Sequence, residues 1–499
     1  MTHLISRALL LCAVLASSGC ANLKPTPVFD AELAATNQAD RLTSRADVPP
    51  LNDALTLEEA IARALKFNLD RRSKLMEEAI SVNQLDASRY DLLPKLTAQA
   101  GYRYRDKDLT VRSRDSITGT PSLSNPSISS DRGHNVSEIG MSWSVLDFGN
   151  SYYQARQNSD RVLVSAERRR KAMHLLVQDV RTAFWRTASA QRLQVQIRST
   201  IALAEEALAD ARKAEAERVR SPLDSLRYQR QVLENLRLLE STNQELTSAR
   251  IDLMQLINLP LVTDLKVAEP SAAPGRAILE LPVERLEDLA ASRNAEHREQ
   301  FYNVRLANDE ARKAIARLFP GLSFNLGAKY DTDSYLINQR WNEAGLQLSF
   351  NLFNLVSGPA QVRLTEAGSA LAENRRMASL MALLAQVHIA RLQYENALQQ
   401  FDRADAVAEV DQRISALMSS RQQAQAQSKL EVVANQTSAI LSLLRRYQSL
   451  AQAHSAASRL QSTLGLEPSI GDTNKISLTE LTSILEQELK SWDLGTLPP

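Results

Sequence analysis

The sequence predicts a mainly α-helical chain with a small β part, internally duplicated. Gly accounts for only 15 of 499 residues and aromatics for 5%, while Ala, Leu, Gln, Arg and Glu fill long stretches, the composition of extended helices. From Tyr152 to about Val219 there is neither Pro nor Gly. Four short runs elsewhere alternate apolar and polar side chains with period two, the pattern of strands rather than helix. Lys plus Arg (59) nearly cancels Asp plus Glu (58), so no global field recommends nucleic acid or an anionic surface as a partner.

The N-terminus reads as a targeting segment. His3 and Arg7 precede an apolar run from Ala8 to Ala16, too short to span a bilayer but the length of a signal-peptide core. Ser17, Ser18, Gly19 and Cys20 follow and resemble a lipobox, in which cleavage before the Cys leaves a diacylated N-terminus. Ser17 stands where that pattern usually has Leu, and an ordinary secretory signal with an unmodified thiol is the alternative. Cys12 falls inside the removed segment, so Cys20 is the only mature cysteine and no intrachain disulfide can form. Ala21 behind it resembles lipoproteins sent on to the outer membrane. No run of 18 apolar residues follows, so any membrane span must be made of strands.

The chain then repeats itself. Residues 68–104 align without a gap on 294–330, matching Asn68 with Asn294, Pro94 with Pro320, Gly101 with Gly327 and Tyr104 with Tyr330. Residues 156–259 align on 363–466, matching Arg156 with Arg363, Ser221 with Ser428 and Leu259 with Leu466. Helices rich in Ala, Gln and Arg resemble one another by composition, so the Pro, Gly and Tyr matches carry the inference. Pro260, Pro270, Pro274 and Pro282 mark a linker between the halves, and Pro25, Pro27, Pro49 and Pro50 mark one behind Cys20. The expected organisation is a signal segment 1–19, a lipidated linker 20–54, a first repeat 55–259 and a second linker 260–285. A second repeat 286–467 and a tail 468–499 complete it, the tail with one amphipathic stretch near Leu478 to Leu489 that packs around the body.

Each repeat carries two strands, at about 95–105 and 136–147 in the first and about 321–331 and 343–353 in the second. Leu96, Ala98, Ala100, Tyr102 and Tyr104 alternate with Thr97, Gln99, Gly101, Arg103 and Arg105. Each run has roughly the 9 to 11 residues with which a tilted strand crosses a bilayer. Apolar-out, polar-in alternation with aromatics toward the ends suits a transmembrane barrel; soluble hairpins packed on a helix would use the same pattern. Four strands cannot close a membrane barrel, which needs about eight at the least. Three copies would supply twelve, with loops 105–135 and 331–342 at the cell surface.

The Pro-free and Gly-free stretch predicts a helix of about 100 Å at 1.5 Å per residue. Met173, Val177, Val180 and Phe184, then Ile197, Ile201, Ala204, Leu208 and Ala211, recur at spacings of three and four. Ser221 and Pro222 suit a cap and a first helical position, after which the chain turns back. Leu239, Leu246 and Leu253 give the return helix a coiled-coil seam. The second repeat does the same from about Pro359 to Gln427 and returns after Ser428, Lys429 and Leu430.

Leu57-Glu58-Glu59-Ala60-Ile61, the Pro-x-Leu-Ser/Thr lead-in at Pro94 and Pro320, the strand-to-helix passage at Asp147-Phe148-Gly149 and the Ser-x-Leu-Asp/Glu hairpin turns resemble, in this duplicated order, the TolC family of outer membrane factors over residues 55–467. The resemblance implies a homotrimer with a twelve-stranded transmembrane β-barrel, embedded in outer membrane lipid, above a periplasmic α-barrel of long antiparallel coiled-coil helices. Its tapered inner end meets a periplasmic adaptor and an inner membrane pump. By the same resemblance Asp224 and Glu431 line or lock the constricted inner end, with Arg220 as a partner. Six such carboxylates in a trimer would favour cations at a narrow ring. The same two residues would equally serve as first-turn acids stabilising helix N-termini. Where the family's turns carry Gly, this chain has Arg218 and Gln425, which puts the usual adaptor-docking geometry in doubt.

Catalytic chemistry finds no footing. The six His residues are scattered, with no His-Glu-x-x-His pairing, and no P-loop, dinucleotide fingerprint or nucleophile elbow occurs. No enzyme activity, metal or cofactor is expected. His174 and His388 read as solvated or packed helix residues, and Arg168-Arg169-Arg170-Lys171 as a solvated face or a contact to a neighbour. The expected function is a passive efflux conduit driven by the inner membrane pump. The outer membrane component of a type I polypeptide secretion system, or a non-conducting periplasmic coiled-coil scaffold lipoprotein, are the alternatives. Alternating strands count against the scaffold, which has no use for them.

Overall fold

The computed structural model describes residues 27–497 apart from 113, 122–125, 218–220, 269–272, 424–428, 469, 472 and 474. Cys20, Arg218, Arg220, Gln425, Ser428 and residues 1–19, where the signal segment is expected, lie outside the described residues. After an exposed helix α1 (Asp30–Thr43) come α2 (Leu57–Phe67), α3 (Leu69–Tyr90) and strand β1 (Lys95–Tyr104). A small hairpin of β2 (Thr110–Val111) and β3 (Ser127–Ile128) leads to β4 (Gly133–Ser144), which runs straight into α4 (Val145–Ala216) and its return helix α5 (Pro222–Leu256). A short 3-10 turn at Ala277–Glu280 precedes the second set: α6 (Val283–Arg293), α7 (Ala295–Ala316), β5 (Gly321–Asp331), β6 (Arg340–Ser349), α8 (Asn354–Gln423) and α9 (Lys429–Thr463). Helix α10 (Leu478–Asp493) closes the chain.

Helix α4 has 72 residues, about 108 Å of rod, and α8 has 70. No single core covers such lengths. One large cluster sits where α2, α6, α10, the middle of α4 and α8 and the ends of α5 and α9 meet, and smaller clusters continue down the hairpins. Met173, Val180, Phe184, Ile197, Ala204, Leu208 and Ala211 are buried, as the three-four spacing of α4 requires, and so are Leu239 and Leu253 of α5. Leu481, Leu485, Leu489 and Trp492 form the buried stripe of α10, which packs on α2. Among the described residues no helix is long and apolar enough to cross a membrane.

The duplication reaches individual hydrogen bonds. Asn68 caps α3 by accepting from Arg71 N at 3.0 Å, and its amide donates to Leu256 O at 3.0 Å. Asn294 caps α7 by accepting from His297 N and donates to Thr463 O, both at 3.0 Å. Helices α5 and α9 end alike, through Asn258 (φ 56°) and Gly465 (φ 69°), followed by six-to-one bonds from Leu259 N to Met254 O and Leu466 N to Gln461 O, each 2.9 Å. Asn and Gly are the residues that enter the left-handed region at least cost, so both repeats stop their helices by the same device. A Cβ on Gly465 would lie 2.5 Å from the Arg293 backbone, so this site admits only Gly.

Several boundaries differ from the sequence reading. Strand β4 occupies 133–144, not 136–147, because Ser144 caps α4 by accepting from Asp147 N at 3.2 Å; Asp147, Phe148 and Gly149 are therefore already helical. At its other end Gly133 and His134 pair with Tyr104 and Arg103. Strand β6 occupies 340–349, not 343–353, because the Asn351 side chain accepts from Phe353 N at 3.1 Å and turns the chain into α8 at Asn354, ahead of Pro359. The linker carries the 3-10 turn and a parallel bridge between Leu55 and Val267.

In the run Arg168-Arg169-Arg170-Lys171 the two outer residues are exposed and the two inner ones partly buried, and all four are ion-paired within the chain. Arg168 pairs with Glu299 at 2.8 Å, Arg169 with Glu78 at 2.6 Å, Arg170 with Glu167 and Glu467 at 2.5 and 2.8 Å, and Lys171 with Glu296 at 2.8 Å. Four consecutive helical residues point around the axis, so they tie α4 to helices on both sides.

His174 packs into this junction with its Nε2 3.8 Å from Glu467. Burial lowers its pKa from 6.5 to about 4, against the pull of the Glu467 carboxylate. The unfolded chain takes up a proton near pH 6.5 and the folded chain only near 4, so stability is full above 6.5 and falls as pH drops through that window. His174→Gln should flatten the slope of thermal midpoint against pH between 7 and 4.5; an unchanged slope contradicts this assignment.

Candidate membrane face and hairpin tips

Strands β1, β4, β5 and β6 form one antiparallel sheet in that order, two from each repeat. The register aligns apolar side chains in rows: Trp143, Phe324 and Leu346; then Leu96, Met141, Leu326 and Ala344; then Ala98, Ile139 and Ala328. Among the described residues no protein layer covers them. Leu96 is 74% exposed, Leu346 65% and Leu348 68%, an arrangement that a soluble monomer rarely leaves uncovered over so large an area. Tyr102, Tyr104 and Tyr330 cluster toward the loop end, and Trp143, Phe148, Phe319 and Phe353 toward the helix end. Trp143 stacks on Phe324 at 6.0 Å and meets Phe148 edge-on at 5.8 Å. Strands of ten to twelve residues, about 33 Å long and tilted, match a lipid-facing band of about 25 Å between two aromatic girdles.

The opposite face is polar. Gln99, Glu138, Lys329 and Trp341 are cross-strand neighbours, with Lys329 Nζ 2.7 Å from Glu343 and 3.9 Å from Glu138. In the sequence Lys329 lies between Ala328 and Tyr330, in the polar set of its alternating run, which is the signal that places it on this face. At the loop end the two repeats clasp each other. Asp131 accepts from Ser334 N and Oγ, Asp333 accepts from Ser130 Oγ at 2.6 Å and Asp131 N at 3.1 Å, and His134 meets Asp331. Ser130 and the Asp131 amide, donating to Asp333, hold its carboxyl below the usual range.

Both outer strands, β1 and β6, have a sheet neighbour on one side only and are exposed along their whole lengths. An unpaired edge bordering an apolar face cannot rest in hydrocarbon, because its backbone N–H and C=O groups would have no partner.

At the far end of the rods Asp224 occupies the first turn of α5, 4.0 Å from Arg227, with both side chains exposed. Its backbone N–H donates to Ser221 O at 3.1 Å, and Pro222 takes the first helical position. Glu431 sits, exposed, in the equivalent first turn of α9. Val232 and Leu236 of α5 share a cluster with Val433 of α9, so the two tips lie at the same end of the molecule. Arg220 and Cys20 are outside the described residues.

A four-stranded sheet whose β4 and β6 run into two long helical hairpins is a fold shared with solved outer membrane channels. Three solved structures share it: the Campylobacter jejuni CmeC outer membrane channel (TM-score 0.66, 12% identity, 94% of this chain and 97% of that one), a membrane protein from Pseudomonas aeruginosa (0.63, 17%, 83% and 92%) and the open state of the Neisseria gonorrhoeae MtrE outer membrane channel (0.59, 16%, 82% and 89%). No protein-family model and no curated protein matches the sequence.

Placing a charge on the apolar face separates the two faces. Leu346→Arg should weaken insertion into lipid by about 2–4 kcal/mol, while Gln347→Arg, one residue on and on the polar face, should leave it nearly unchanged. Denaturant titration of folding into vesicles reads both, and equal effects would contradict the assignment of faces.

Proposed function

We propose that three copies of this chain close their sheets into a twelve-stranded barrel in the outer membrane and their helices into a duct beneath it, forming a passive channel. The observation that carries this reading is the uncovered apolar sheet face with two unpaired edges, continued without a break into rods of about 108 Å. Structures with this fold are named as outer membrane channels, which supports the same reading. The barrel holds the outer membrane, the hairpins extend into the periplasm, and Cys20 anchors the mature N-terminus by acylation; incorporation of labelled palmitate is the direct check on that anchor. The chain carries no nucleotide-binding motif, so the driving energy comes from an inner membrane pump coupled through a periplasmic adaptor at the hairpin tips.

In the trimer Asp224 and Glu431 contribute six carboxylates to the inner end, a ring that favours cations. Purified protein in planar bilayers should conduct and prefer cations. Asp224→Asn combined with Glu431→Gln should lower the cation-to-anion permeability ratio by roughly several-fold without abolishing conductance. Absence of any conductance, together with solubility after removal of the acyl chains, would favour the scaffold instead.

A further inference from the structure

Helix α7 is the repeat-mate of α3, and α8 is the repeat-mate of α4. Helix α4 packs on both α3 and α7, and α7 packs in turn on α8. The α3–α4 and α7–α8 seams are thus repeat-mates of each other. The α4–α7 seam has one too, α8 against an α3, and the chain's own α3 is already engaged on α4.

The α4–α7 seam shows what that contact buries. On α4 Gln157, Asp160 and Glu167 bond to α7 across it, and Val164 lies between them on the same stripe, none more than 6% exposed. Their repeat-mates on α8 are Leu364, Ala367, Leu371 and Asn374, all exposed, Leu364 at 66% and Leu371 at 51%. On α7 the seam uses Arg305, Leu306, Asp309 and Lys313. Their repeat-mates on α3 are Ala79, Ile80, Asn83 and Ala87, again all exposed. The α8 stripe advances by threes and fours, the spacing of a coiled-coil seam, Ile80, Asn83 and Ala87 of α3 do the same, and none of these eight residues is charged.

The two seams differ in chemistry where they agree in position. Within the chain Arg305 pairs with the buried Asp160 at 2.6 Å, Arg298 with the buried Glu167 at 2.9 Å and Arg156 with the buried Asp309 at 3.3 Å. At the corresponding positions of the other seam stand Ala79 and Ala367, Arg72 and Asn374, and Asn83 and Arg363. Only the first of these has lost both charges. An α3 docked where α7 belongs would leave the buried Asp160 carboxylate facing Ala79, and an α7 docked on α8 would set Arg305 against Ala367. Either error strands a charge without its partner.

We propose that the Leu364–Leu371 stripe of α8 receives α3 of a second copy, in the arrangement that α4 and α7 adopt within one copy, and that the Asp160–Arg305 pair set against the Ala79–Ala367 contact decides which helix docks where. The inference rests on the ring-forming reading above. It adds to it the face, the register and the residues that sort the two seams.

Full-length protein extracted in detergent carries the test. Ala79→Cys together with Ala367→Cys should cross-link between copies on oxidation, giving covalent species of up to three chains, while each single variant gives none. Ala367→Asp should lower the fraction of three-copy assemblies by on the order of ten-fold or more, and adding Ala79→Arg should restore it. Three-copy assemblies with no 79–367 link, or as abundant in Ala367→Asp as in the parent, would overturn the sorting while leaving the ring intact. A parent that runs as a single chain would overturn both.

Discussion

The structure is governed by an apolar sheet face that its own chain does not cover. Four strands of ten to twelve residues line up Leu96, Met141, Leu326 and their neighbours on one side, and among the described residues no helix or second sheet lies over them. Burying such a face in water-soluble form would need a second layer, and the chain sends its remaining length away as rods instead. With lipid as the covering medium the edges become the next constraint, since β1 and β6 each have a row of backbone groups without partners. A second copy offers strands of matching length, so the proposed membrane placement, ring and duct all rest on this one uncovered surface.

Duplication is what makes the geometry economical. Each half contributes a strand pair, a short helix capped by Asn68 or Asn294, a long rod and a return helix stopped at Asn258 or Gly465. Where the halves agree, backbone geometry requires it: the caps and the left-handed stops admit few residue types. Where they diverge, their surroundings differ. Charged pairs lie between α4 and α7 inside the chain, and Ala, Ile and Leu lie on the faces of α3 and α8 that the chain leaves open.

Much of this was legible in the residues. Period-two alternation marked the strands, a stretch free of Pro and Gly marked α4, and the amphipathic stretch near Leu478 to Leu489 marked α10. The ends were less legible, because side-chain bonds decide them: Ser144 starts a helix inside an apolar run, and Asn351 stops a strand that Leu352 would have continued. The Arg168 to Lys171 run looked like a wet surface because its carboxylate partners come from α3, α7, α4 itself and Glu467 beyond α9, none of which composition can bring together. For the tips, sequence placed Asp224 and Glu431 in first turns, where they stand; that they share one end of the molecule required the packing of Val232 and Leu236 against Val433.

The central claim is that lipid covers the apolar side of the sheet and water the other. Spin labels at Leu348→Cys and Gln347→Cys, adjacent on β6 and on opposite faces, measure this in vesicles. The account predicts that the label at 348 relaxes by collision with oxygen dissolved in the bilayer and the label at 347 with a water-soluble nickel complex. Equal access of the nickel complex to both would contradict it.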